Sequence, residues 1–281
     1  MKLHCIPILS ALFTSLVCFS NPATKISDNS PSSGIVIRWN DCEQTIDGFG
    51  IAQAGWAKEL FAFKNRKQVM DKMFGNDGLR LNILRGEIFP HYWENKEDKD
   101  FNLNDDINIE LCDSDFNNKS DDLLRRGQLW LTLEAKNKYH INKLVFSTWS
   151  APAWMKSNGK VSNGKLKPEC YQDFANYLAA FYKAYKSKGI TPYAISPSNE
   201  PGYAAPWNSS LWTADEMGKF ITSNLGPTFQ KENIPAKIIF GENPLWSVVM
   251  PQLKMVSSKD FTDTILQDYP EIKKFNLIAA G

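Results

Sequence analysis

Ile195-Ser196-Pro197-Ser198-Asn199-Glu200-Pro201 reads as the end of a buried strand that passes directly into a polar turn. Tyr193, Ala194 and Ile195 are apolar and mostly β-favouring. Pro197 and Pro201 cannot donate to a ladder, so the strand must give way to a loop between them. That loop sets a carboxylate, Glu200, beside an amide, Asn199. A carboxylate can lend or take a proton, and a neighbouring amide can hold a sugar hydroxyl without titrating. Asn-Glu-Pro alone also fits a solvated turn, so the surrounding chain decides.

Downstream come a loop with Tyr203, Trp207 and Trp212, a helix expected over Ala214 to Lys231, and a buried strand from Ala236 to Gly241 that leads into Glu242-Asn243-Pro244-Leu245-Trp246. Two more helices and a strand from Phe275 to Ala280 follow. Upstream, Pro168 to Lys188 is the clearest helix, with Phe174, Tyr177, Leu178, Phe181 and Tyr185 on one face. Before it, Lys143 to Ser147 reads as a strand ending in Thr148-Trp149-Ser150-Ala151-Pro152-Ala153-Trp154-Met155-Lys156, and Asp122 to Lys138 as a helix. Gly86 to Asp121 is a polar excursion of a length that usually serves function. Leu79 to Arg85 alternates as a strand, Trp56 to Phe63 and Lys67 to Phe74 as helices, and Gln44 to Gly50 and Gly34 to Asn40 as short strands.

Barrel-type strands followed by helices imply parallel pairing with right-handed crossovers, in an open doubly wound sheet or an eight-fold barrel. No Gly-x-Gly-x-x-Gly or Walker pattern follows the first strand, which weakens a nucleotide-binding fold. The polar and aromatic residues cluster after strands two to five, where a (β/α)8 barrel builds its site.

Of 281 residues, 43% are hydrophobic and 22% charged, a globular balance. With 32 basic and 31 acidic residues, no net field draws in nucleic acid or an anionic membrane. Nine Trp favour flat apolar partners such as sugars. Met1-Lys2, the apolar run from Ile6 to Phe19 and then Ser20 to Ala23 have the form of a secretory signal, too short for a convincing membrane span. Cleavage after Ser20 gives a secreted or periplasmic protein, and lipoprotein anchoring at Cys18 is disfavoured by Val17. Cys42, Cys112 and Cys170 lie far apart without metal-ligand spacing, and His91 and His140 are isolated, so no metal or other cofactor is expected.

Gln44 to Gly50, Asn82 to Arg85, Thr148 to Gly159 and Ser196 to Pro201, in this order and at these intervals, resemble glycoside hydrolase family 30. The resemblance covers essentially everything from Gly34 onward. It implies a retaining β-glycosidase with an eight-fold barrel, a flanking β-sandwich built from both chain ends, and a β-linked oligo- or polysaccharide substrate. By the resemblance, Glu200 is the acid/base and Asn199 holds the sugar 2-hydroxyl. Arg85 steadies a nucleophile carried on strand seven, and Trp149 walls the bound sugar. Chemistry agrees, because retention needs two carboxyls about 5–5.5 Å apart across the sugar. Trp149, Trp154 and Trp207 follow strand ends and are read as substrate-binding; Trp39, Trp56 and Trp130 are read as packing.

The expected organisation is a signal peptide over 1–20, a flexible leader over 21–33, a sandwich strand over 34–45 and a barrel over 46–281. The barrel is expected to hold about six of eight βα units, truncated and inactive by itself. Strand seven with its nucleophile would be absent, and Glu242 and Glu87 would have binding or structural roles. After Arg85 the chain reads Gly-Glu-Ile-Phe-Pro-His-Tyr-Trp, without the Asp that the resemblance associates with glucosylceramidases. A polysaccharide such as β-1,6-galactan is therefore expected over glucosylceramide. The competing class is a non-catalytic carbohydrate-binding remnant.

Overall fold

The computed structural model of the chain describes residues 38, 40–41, 44–53, 56–93, 95–97, 127–247 and 256–281. The chain divides into two units, 1–48 and 49–281. In the first, the described contacts include an exposed Arg38–Asp41 ion pair at 3.5 Å. The expected signal peptide, leader, Trp39, Cys42 and Cys112 lie outside the described residues, as does most of the expected strand over 34–40.

The second unit alternates strand and helix. Its strands are β1 (Gly50–Ala52), β2 (Ile83–Ile88), β3 (Lys143–Thr148), β4 (Ala194–Ser196), β5 (Lys237–Gly241) and β6 (Leu277–Ala280). Between them lie α1 (Ala57–Ala62), α2 (Arg66–Phe74), α3 (Gln128–Tyr139) and α4 (Tyr171–Ser187). The helix after β4 runs as α5 (Ala214–Phe220), a π-helical turn (Ile221–Leu225) and α6 (Gly226–Lys231), and α7 (Ser258–Asp268) precedes β6. Strand order in the sheet is β1-β2-β3-β4-β5-β6, and every pair is parallel. Six parallel strands in sequence order with helical crossovers are the βα units of a (β/α)8 barrel rather than a doubly wound sheet, whose order would reverse at a switch point.

Helix α4 shows why the sheet holds. Phe174, Tyr177, Leu178, Phe181 and Tyr185, at helical spacing, are all buried. Phe181 and Tyr185 meet Phe146 of β3 at ring-centroid distances of 5.1 and 4.9 Å. Rings of this size each contribute about 1.5–3 kcal/mol on burial, so this face is the main anchor of the crossover. The Tyr185 hydroxyl would be costly in that setting, and Gln128 Nε2 donates to it at 2.9 Å.

Two strands differ from the sequence expectation. Gln44 to Phe49 forms no strand, and β1 begins at Gly50. β2 lies four residues later than Leu79 because Leu79 N and Leu81 N bond to Lys72 O and Met73 O at the end of α2. The alternation of Leu79 and Leu81 therefore belongs to a turn, in which Arg80 has φ 51° and Leu79 is 72% exposed. Gly86 extends the strand instead: a Cβ there would lie 2.6 Å from Gln128 Oε1 and 2.8 Å from Phe146. The expected helix from Asp122 is described from Gln128 onward.

Candidate active site

Parallel strands all end on one face, and there β2, β3, β4 and β5 each deliver a polar residue. Arg85 sits on β2, Ser147 on β3, Ser196 on β4 and Glu242 just past β5. Arg85 Nη2 donates to Glu242 Oε1 at 2.6 Å, and Nε donates to the same oxygen at 3.1 Å. The other carboxylate oxygen, Oε2, accepts from Ser147 Oγ at 3.0 Å and from Ser196 Oγ. Arg85 Nη2 also donates to Asn199 Oδ1 at 2.6 Å. The ion pair is largely shielded, with side-chain exposures of 24% for Arg85 and 15% for Glu242. A carboxylate removed from water to this degree needs charge-assisted partners on both oxygens, and it has them.

The backbone locks the turn from Pro197 to Pro201 to the strands beside it. Asn199 N donates to Thr148 O at 2.7 Å, and Glu200 N to Glu242 O at 3.0 Å. Gly202 N donates to Asn243 Oδ1 at 2.7 Å, and Asn243 is buried. Both glutamates have left-handed backbone, Glu200 with φ 48° and Glu242 with φ 44°. Such a conformation costs a side-chain-bearing residue roughly 1 kcal/mol or more and persists only where the surroundings over-determine it. Among the described residues no side chain hydrogen-bonds to the Glu200 carboxylate, in contrast to the four bonds on Glu242.

Three residues of the expected site, Arg85, Asn199 and Glu200, are therefore brought together. Trp149 follows β3 directly and is half-buried, its indole nitrogen buried without a hydrogen-bond partner among the described residues. Trp154 is packed against the core: its ring meets Trp93 edge-on at 6.3 Å and its Nε1 donates to Trp93 O at 3.0 Å. Trp207 is 50% exposed, on the loop beyond Glu200. Trp212, from the same loop, is core instead, packed on Tyr171, Phe174 and Phe220. Trp56 and Trp130 pack against the core as expected of them. Glu87 is held on β2 by Gln128, which bonds to its backbone N–H and carbonyl.

Ser147 and Ser196 were not singled out by sequence, and the pairing of Glu242 with Arg85 was not foreseen. Each serine is the polar residue near the end of a buried apolar strand, and that shared position was the available signal.

Behind the site, Lys156 is fully buried and donates from Nζ to Ser150 Oγ at 3.1 Å and Ser209 O at 2.6 Å. Burial pushes its amine down to about 8 from 10.5. Between these values the unfolded chain keeps a proton that the folded chain has released, so stability rises as pH climbs through the window. Below it the fold carries the full cost of the buried charge. Urea denaturation at about pH 7.5 and about pH 10 should show wild type gaining up to roughly 3 kcal/mol relative to Lys156→Met. Parallel pH responses of the two proteins would contradict this.

A parallel βα sheet that gathers an ion-paired carboxylate and, among the described residues, a second carboxylate without a side-chain hydrogen bond at its C-terminal edge has the layout of a (β/α)8-barrel site. Residues 46–243 match the model of the glycosyl hydrolase family 30 TIM-barrel domain, and the chain belongs to that family of O-glycosyl hydrolases. An endo-1,6-beta-D-glucanase of Neurospora crassa is 28% identical over 237 residues, covering 78% of this chain and 45% of that protein. The mouse lysosomal acid glucosylceramidase is 30% identical over 123 residues, covering 38% of this chain and 24% of that protein. Among solved structures, the endo-beta1,6-glucanase BT3312 superposes with a TM-score of 0.65 at 23% identity, over 83% of this chain and 50% of that one. The chain thus spans half or less of the length of these relatives, and the BT3312 likeness supports the fold alone. No described helix is long and apolar enough to cross a membrane.

Proposed function

We propose that the protein is a secreted retaining β-glycosidase that acts on a β-linked polysaccharide, with Glu200 as acid/base. The observation that carries this is the contrast between the two glutamates: Glu242 is fully engaged by Arg85, Ser147 and Ser196, while the Glu200 carboxylate is held on a pinned left-handed turn with no side-chain partner among the described residues. A group that must exchange a proton with a glycosidic oxygen has to be fixed in place yet chemically unencumbered. Arg85 occupies the Asn199 carbonyl oxygen, which leaves the amide N–H groups to bind a sugar 2-hydroxyl. Trp149 supplies an aromatic wall beside them.

A β-1,6-linked polysaccharide is favoured over glucosylceramide by the stretch Gly86 to Trp93, which lacks the Asp that the resemblance associates with glucosylceramidases. Secretion is supported by the signal-like pattern of residues 1–20, and an N-terminus at Asn21 in protein recovered outside the cell would test it. A binding-only role has one observation in its favour: Glu242, the other carboxylate of the cluster, is tied to Arg85.

The full-length protein should be assayed on β-1,6-glucan, β-1,6-galactan and glucosylceramide, with proton NMR of the first anomer formed. Release of the β-anomer from a β-1,6-linked polymer is the expected result. Binding without hydrolysis would favour the carbohydrate-binding reading, and first release of the α-anomer would refute retention.

A further inference from the structure

Tyr203 and Trp207 are 37% and 50% exposed, and their rings meet at 6.4 Å and 61°. The loop that carries them is nonetheless closed and anchored. Trp212 N donates to Pro201 O at 2.9 Å across its base, and Tyr203 N donates to Glu200 O at 2.9 Å. Within it, Ser209 Oγ lies 2.9 Å from Ala205 O and 3.1 Å from Trp207 O, either of which can accept its proton. Ser209 O in turn accepts from the buried ammonium of Lys156, which also reaches Ser150, next to Trp149. The loop after β3 joins in, as Ser209 N bonds to Val161 O and Leu211 N to Gly164 O. Burying a lysine that has no carboxylate partner among the described residues is costly, as is displaying two rings to water. The lysine, from the loop after β3, braces the underside of the same loop that displays the rings.

We propose that Tyr203 and Trp207 form a fixed platform for the sugar on the leaving-group side of the scissile bond, so that the site takes substrates whose leaving group is itself a saccharide. This rests on Glu200 being the acid. A general acid stands beside the leaving-group oxygen, and the aromatic pair begins three residues beyond it, tied to its carbonyl. Ring faces suit the C–H face of a pyranose, and the Tyr203 hydroxyl can bond to a sugar hydroxyl. Lys156 and Ser209 are positioning residues for this platform.

The test uses the full-length protein and two substrates with the same non-reducing sugar, a β-1,6-linked gluco-oligosaccharide and an aryl β-glucoside. Trp207→Ala, at an exposed position, should lower kcat/KM on the oligosaccharide at least about ten-fold more than on the aryl glucoside. In a Glu200→Gln background it should weaken oligosaccharide binding, followed by calorimetry, by a similar factor. Lys156→Met should show the same substrate selectivity in smaller degree. Equal losses on the two substrates or unchanged oligosaccharide binding would overturn the platform while leaving hydrolysis intact. A wild-type protein that hydrolyses no β-glycoside would instead overturn the reading of Glu200, and the leaving-group assignment with it.

Discussion

Glu200→Gln should lower kcat/KM on a glycan with a sugar leaving group by roughly 10²–10⁴, the usual range for losing a positioned general acid. The same change should cost far less in the glycosylation step of a dinitrophenyl β-glycoside, whose leaving group departs without a proton. Hydrolysis of the covalent intermediate still needs the carboxylate as base, so kcat on the activated substrate should fall together with KM as the intermediate accumulates. Steady-state kinetics on both substrates reads the difference. An equal loss on the two would mean that Glu200 acts through structure, and no loss on the glycan would remove it from the mechanism.

The second large effect is expected at Arg85. Arg85→Met would leave the Glu242 carboxylate with only the Ser147 and Ser196 hydroxyls, and the Asn199 side chain without its anchor. Breaking one side of a shielded ion pair strands the other charge, and for a pair this secluded roughly 2–4 kcal/mol of stability should be lost. In a domain of this size that corresponds to a fall in Tm of about 5–10 °C. Glu242→Gln should restore part of that loss in the double variant, since the stranded charge is then gone. A coupling energy of at least about 1 kcal/mol in the cycle is the expected result. Additive effects would show that the two groups are neighbours without being partners. Glycan hydrolysis should fall in both single variants, because Asn199 is oriented through Arg85.

Much of this arrangement could be read from the chain because periodicity and turn chemistry carried it. The apolar face of α4 is written at helical spacing, and the prolines around Asn199-Glu200 mark where β4 must end, so the barrel units and the turn that carries Glu200 were both legible. Boundaries were less so where a local pattern imitated another. Leu79 and Leu81 alternate like a strand, but their N–H groups complete the end of α2, and β2 instead runs on through Gly86, whose bare Cα admits Gln128 and Phe146. The Glu242 cluster was hidden for a different reason. Its members lie on or just past four strands and are separated by as many as 157 residues, and only the parallel register sets them side by side. Ser147 and Ser196 gave no sign in composition or spacing that their hydroxyls meet one carboxylate. Trp212 and Trp207 look alike in sequence, five residues apart, and only packing separates the buried ring from the exposed one.

The role of Glu200 is tested most directly by azide rescue. In Glu200→Ala of the full-length protein, the leaving-group side loses the carboxylate that would repel a small anion or activate water, so azide should intercept the covalent intermediate formed between an activated aryl β-glycoside and the strand-seven nucleophile that the family resemblance implies. The account predicts faster turnover with added azide and a β-glycosyl azide as product. An α-glycosyl azide, or no rescue in a folded protein that still forms the intermediate, would contradict it.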